Sequence, residues 1–341
     1  MRTTSIKDVA ERAQVSISTA SYALNGVPKV SPETREKVLQ AARDLQYKPN
    51  SFARSLKTHK TKTIGLFVSH IDSPYYFEVV NGIEEVLTAA GYDFVIARIC
   101  TPSGFGTGYN LIREQRIDGA MLLGGSYIPK ELICEMAGGK MPIAITDCAY
   151  DECFAPYKNL HFMDIDNWGG IRLVLTHLRD QGYKKIAFVA GKELSYDGSV
   201  RESAYRSVMA ELGLSAPAEW ILRGDYREDQ AFNVTKALLD FGAERPDAFC
   251  CANDQMAFGV IGAINSLGLS VPHDFAVTGF DDIRQSAYMA PGITTVNRND
   301  EGMGTLIAQD LLRAIDGQEL EQRQTQEVKL MVRGSSATKI K

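Results

Sequence analysis

Asp147, Asn253 and Asp281 each stand immediately after a short apolar run, at 142–146, 248–252 and 275–280. Such runs read as buried strands of a parallel sheet, and open parallel sheets bind ligands beyond the carboxyl ends of their strands. Carboxylates and amides exchange hydrogen bonds with vicinal hydroxyls, so this set suits a polyhydroxylated small molecule. Asp254 has a plainer reading, as the cap of a helix starting at Gln255, and Asp282 has one as a loop residue. Near the first strand, Ser73-Pro74-Tyr75-Tyr76-Phe77 opens a helix. Its three aromatics could stack on a ring or serve only as core. Arg298, after Thr294-Thr295-Val296-Asn297, adds a charge that would either pair with these carboxylates or favour an acidic ligand.

Other chemistries are poorly supported. The six cysteines (Cys100, Cys134, Cys148, Cys153, Cys250 and Cys251) form no C-x-x-C pair and match no zinc spacing. They read as reduced, mostly buried small hydrophobes. The five histidines form no H-E-x-x-H motif, and there is no G-x-S-x-G elbow. The run Gly104-Phe105-Gly106-Thr107-Gly108 lacks the spacing of a nucleotide loop. The expectation is a protein without metal, cofactor or enzymatic chemistry.

These residues need elements to position them. From residue 63 onward the pattern alternates: strands at 64–68, 93–97, 120–123 and 142–146, with a helix at 74–90. A second set follows, with helices at 167–181, 200–212, 227–239, 255–267 and 302–315. Its strands are at 185–190, 248–252, 275–280 and 327–332. Two such sets predict two doubly wound parallel-sheet lobes with a cleft between them. The expected lobes are 62–162 with 293–325, and 163–292 with 326–341.

The first 49 residues differ. Helical spacing and caps predict helices at 6–12, 17–24 and from Ser31-Pro32 to about Leu45, with Ser5, Ser16 and Ser31 as caps. Residues 50–61 form a short amphipathic stretch and linker, too short to hold a helix alone in water. Residues 1–62 carry twelve Lys/Arg against five Asp/Glu, net +7; the remainder carries 25 against 37, net −12. A basic head on an acidic body is the asymmetry of a chain that meets nucleic-acid phosphates at one end. No run of eighteen apolar residues and no signal-like N-terminus is present, which predicts a cytoplasmic protein without a membrane span.

The runs SIKDVAERAQVSISTASYALNG, VSPETREKVLQAARDLQYKPNSFARSLKT, IGLFVSHIDSPYYFEVVNGIEE and ANDQMAFGVIGAINSLGLSVPHDFAVTGFDD closely resemble the lac repressor family of bacterial regulators. The resemblance implies a helix-turn-helix head and a hinge helix that folds on double-stranded DNA. It also implies a core like a periplasmic sugar-binding protein, and a homodimer reading a pseudo-palindromic operator. It makes Ile17, Ser18 and Tyr22 base-facing, with Ser16, Thr19, Ser21, Asn25 and Ser31 suited to phosphates. Tyr47 and Asn50 resemble backbone contacts, and Leu56 a minor-groove wedge, with Ala53 on the same face. In the cleft it adds Arg201 and Tyr226, and marks Asp147 as a ligand-binding acid. The effector implied is a sugar, with a nucleobase or sugar acid as the alternative. Two positions depart from the family: Tyr22 where arginine is usual, and Arg298 where glutamine is usual.

Overall fold

The computed structural model describes residues 4–47, 60–68, 74–101, 104–241, 244–298 and 302–337. The expected sites Asn50, Ala53, Leu56 and Ser73 lie outside the described residues. The chain divides into two units, Met1–Thr61 and Lys62–Lys341.

In the first unit, three helices form where the caps predict: α1 (Ile6–Arg12), α2 (Ile17–Leu24) and α3 (Pro32–Asp44). Ser16 and Ser31 accept the backbone N–H of Thr19 and Thr34, satisfying donors that a helix start leaves open. The Asp8 carboxylate accepts from the backbone N–H of Ser5 at 2.7 Å. The turn between α1 and α2 passes through Gln14 in the left-handed region, and Gly26 at φ +71° ends α2. Val9, Ala10, Ala20, Ala23, Val38, Ala41 and Ala42 form the core. Five alanines among them let three short helices approach closely.

The second unit repeats one winding twice. Its first sheet runs, in spatial order, Asp93–Ala97, Thr63–Val68, Gly119–Leu123, Ile143–Ile145, Leu160–Ile165, Arg323–Gln326, and all its pairings are parallel. The second runs Ile221–Arg223, Ile186–Ala190, Ala248–Cys251, Ala276–Thr278, also all parallel. In each, the first strand lies between the second and third, which creates a switch point where a crevice opens.

The structure corrects several expected boundaries. Strands Leu160–Ile165 and Ile221–Arg223 lack a clear sequence signal, the first because polar His161 and Asp164 interrupt it. The single strand expected at 327–332 is two, Arg323–Gln326 in the first sheet and Lys329–Met331 paired antiparallel with Thr295–Asn297. The lobe boundaries shift accordingly. The first lobe keeps its fifth strand through Ile165. Thr294 belongs with the second lobe, bridging to Thr278. The chain therefore crosses between lobes near 166, 298 and 327.

Helices Glu228–Phe241 and Asp254–Ser266 cross on the second lobe at a glycine. A Cβ on Gly259 would lie 2.1 Å from the Glu228 carbonyl oxygen, whereas one on Gly262 would meet Phe232 at an ordinary 3.4 Å. Gly259→Ala should therefore destabilise the core by about 1–3 kcal/mol through overpacking. Gly262→Ala should be neutral or stabilising by up to about 1 kcal/mol from helix propensity. Denaturant unfolding of the two variants side by side checks this.

Candidate functional site

The outer face of α2 is built by its inner one. Ala20 and Ala23 are buried, which turns Ile17, Ser18 and Asn25 outward, with Thr19, Ser21 and Tyr22 half-buried beside them. Ile17 is an apolar side chain left 47% exposed on a basic unit. Lys29 sits 5.9 Å from the centre of the Tyr22 ring. The Ser16 and Ser31 hydroxyls are engaged in capping, each also paired with a threonine hydroxyl at 2.9 Å. Asn25 donates its side-chain amide to the Ser21 carbonyl at 2.7 Å. Tyr47 is half-buried against the core of this unit.

In the second unit, one cavity of about 1280 Å³ collects the residues beyond the carboxyl ends of both sheets. The first lobe contributes Tyr75, Tyr76, Tyr127 and Asp147. The second contributes Asp197, Tyr226, Asn253 and Asp281, with Arg298 at the crossover. The backbone is strained here. Asp147, Asp225, Tyr226, Asp281 and Asp282 all have positive φ, from 53° to 115°. Such conformations cost energy and concentrate at functional sites. The Tyr226 ring lies so close to Gly191 that a Cβ there would sit 2.1 Å from it.

Arg298 is the centre of this arrangement. It is 7% exposed, bonds Asp281 through Nε at 2.8 Å and Nη2 at 2.7 Å, and stacks on Tyr75 at 3.7 Å. It also lies 3.8 Å from Asp147 and 3.9 Å from Asp197. Burial works against its charge, but Asp281, Tyr75, Asp147 and Asp197 outweigh that and hold its pKa well above the ordinary value. The Tyr76 and Thr146 hydroxyls donate to Asp147 Oδ2 at 3.4 and 3.2 Å.

Three expected sites are corrected. Phe77 is 59% exposed and off the cavity, because Tyr75 and Val79 face the core and turn it outward. Arg201 is fully buried and does not line the cavity. It bonds Asn167 and the Ala252 carbonyl at 2.7 and 2.6 Å and stacks on Phe280 at 3.8 Å. Asn253 lines the cavity, but its side chain caps the helix Asp254–Ser266 by accepting the Met256 N–H. That takes the capping role expected of Asp254. Asp254 is instead an inner anchor, accepting from Ile283 N–H and the Ser286 and Thr295 hydroxyls. Asp282 is structural, paired with Arg333 at 2.7 Å and accepting from Asn297.

Asp197 escaped the sequence reading. The helix expected from residue 200 starts at Tyr196 with Ser195 as its cap, so Asp197 lies one turn before Arg201 on the same face. The missed signal was the Ser195 cap. Asp197 Oδ1 and Arg201 Nη2 are buried and have no hydrogen-bond partner within the protein. Asp197 also converges with Asp147 and Asp164, ligand oxygens within 4.8 Å of one another. Arg298 faces two of these carboxylates and supplies the positive charge a metal would bring.

Burial, then Asp197, push the Asp164 carboxyl up to about 7. The native state thus keeps a proton that the unfolded chain releases near pH 4. The stability this contributes is fully present below pH 4 and is lost as pH rises to about 7. Asp164→Asn should flatten that part of the pH–stability curve and make the protein more stable than wild type at pH 8, read by denaturant midpoints from pH 4 to 8.

Residues 5–50 match the family described as bacterial regulatory proteins, lacI family, and residues 175–336 match the periplasmic binding protein-like domain. The chain is 30% identical to the HTH-type transcriptional repressor PurR of Haemophilus influenzae, over 91% of this chain and 90% of that protein. It is 32% identical to that of Erwinia tasmaniensis, over 95% and 93%. Its structure resembles the lac repressor dimer bound to operator and the anti-inducer ONPF (TM-score 0.83, 25% identity, 98% and 100% covered). It also resembles the transcriptional regulator CelR in complex with cellobiose (TM-score 0.70, 30% identity, 97% and 99% covered). Among the described residues, no helix is long and apolar enough to cross a membrane.

Proposed function

Because this chain belongs to the lacI family of bacterial regulatory proteins, ligand-responsive repressors that bind DNA, we propose that its effector is a neutral sugar held between the two lobes. The observation that carries this reading is the Asp197 carboxylate on the cavity wall. Its Oδ1 is buried with no hydrogen-bond donor in the protein, and its other oxygen lies 3.6 Å from the fully buried Arg201. A hydroxyl is the simplest neutral group that donates to such an oxygen, and Tyr75, Tyr76, Tyr127 and Tyr226 line the cavity around it.

Charge argues against an acidic effector. Both arginines are already paired, and Asp147, Asp197 and Asp281 outnumber them three to two. Arg298 therefore serves the walls of the cavity rather than a carboxylate ligand. The related CelR, solved with cellobiose, supports a sugar. Neutral sugars should raise the apparent melting temperature of wild type, and Asp197→Asn should weaken that response at least tenfold in the concentration required. A response to nucleobases or sugar acids alone would overturn this reading.

Two copies read a pseudo-palindromic operator, each laying α2 in the major groove. Ile17, Ser18 and Tyr22 face bases, and Ser16, Thr19, Ser21, Asn25, Ser31, Tyr47 and Asn50 serve the backbone. Leu56 acts as the minor-groove wedge beside Ala53, as the family resemblance implies. Arginine reads guanine bidentately; tyrosine offers one hydroxyl and a ring face for a thymine methyl. Selection from random duplexes should therefore return a half-site without the family's usual guanine opposite Tyr22. Tyr22→Arg should restore preference for that guanine by about tenfold.

A further inference from the structure

Two cysteines that the effector and DNA sites do not use come together on the first lobe. Cys134, half-buried on the helix Lys130–Ala137, and Cys153, exposed in the short 3-10 turn Glu152–Phe154, bring their sulfurs to 3.4 Å. Cys148, Cys250 and Cys251, by contrast, are buried. We propose that Cys134 and Cys153 form a reversible disulfide, making this face of the regulator a site of oxidative modification by small-molecule disulfides.

The surroundings hold the pair in place. Asp151 ties both elements together: one oxygen accepts the Cys153 backbone N–H at 2.9 Å, and the other pairs with Lys130 at 2.7 Å. Phe154 beside Cys153, and Leu132 and Ile133 beside Cys134, are buried in one apolar cluster. The sulfurs thus need to close only from contact to bonding distance, about 2.05 Å.

The reaction balances with glutathione disulfide as oxidant. The exposed Cys153 thiolate attacks one sulfur of glutathione disulfide, forming a mixed disulfide and releasing one glutathione thiolate, which takes up the proton Cys153 lost. Cys134 then gives up its proton and attacks the Cys153 sulfur, displacing the second glutathione as a thiol. Two protein thiols are oxidised and one glutathione disulfide is reduced to two thiols. Partial desolvation first, then Asp151 and Cys134, push the Cys153 thiol up to about 12. Little thiolate is present near pH 7, so the first step is slow. The second is fast, because the partner sulfur already waits at contact distance. The pair therefore responds to sustained oxidation rather than to a brief pulse.

The bond would close a loop of about 20 residues that contains Ile143–Ile145 and the cavity acid Asp147. The test is incubation of the full-length protein with glutathione disulfide at pH 8, then peptide mapping without reduction and thermal unfolding. The expected result is a Cys134–Cys153 cross-link that dithiothreitol removes, with a rise in Tm of about 5 °C. Both should be absent in Cys134→Ser and in Cys153→Ser. Stable glutathione adducts at Cys153 without the cross-link, bonding of either residue to another cysteine or only between chains, or no reaction would each overturn the proposal.

Discussion

A buried guanidinium joins the two halves of the core. Arg298 lies at a crossover between lobes, stacks on Tyr75 of the first lobe and bonds Asp281 of the second. Taking a charge out of water is expensive unless partners surround it. Here the carboxylates of Asp147, Asp197 and Asp281 do so from both sides. The cavity walls, the strained turns that present Asp147 and Asp281, and the tyrosine faces all converge on this group. A change in the separation of the lobes alters its contacts, and so does a ligand that competes for its carboxylates.

That arrangement gives regulation a physical footing. A ligand shifts a conformational equilibrium only by the difference between its affinities for the two states. Groups held by both lobes, and the unmatched Asp197 Oδ1 on the cavity wall, are where such a difference arises. The inner layer beneath is rigid by contrast. Asp254 anchors Ile283, Ser286 and Thr295 together, and Arg201 ties Asn167 to the end of the strand Ala248–Cys251. Burial, then the charge of Asp281, push Asp254 up to about 8, against the Ser286, Thr295 and Ile283 donors that favour its charged form.

Much of this was legible in the sequence. The caps Ser16 and Ser31 and the alternating apolar runs set the head helices and most of both sheets. The carboxyl ends of apolar runs mark Asp147 and Asp281, and both line the cavity. What was illegible has physical reasons. The strand Leu160–Ile165 carries His161 and Asp164, so its polarity hides its period. Phe77 follows two cavity tyrosines in sequence, yet one helical step of about 100° turns it to solvent. Arg201 is a ligand contact only by the family resemblance, and a matched position does not report how deep a side chain lies. Asp197 was lost to a helix start misplaced by four residues. The Cys134–Cys153 approach depends on two segments nineteen residues apart meeting in space, which no local pattern encodes.

Ligand-responsive repression requires coupling between the effector cavity and DNA, and linkage makes that coupling reciprocal. The most direct test is calorimetric titration of the selected sugar into the free protein and into the protein saturated with its selected operator. The account predicts two different sugar dissociation constants, whose ratio equals the factor by which saturating sugar changes operator affinity. Equal sugar affinities in the two titrations would contradict it.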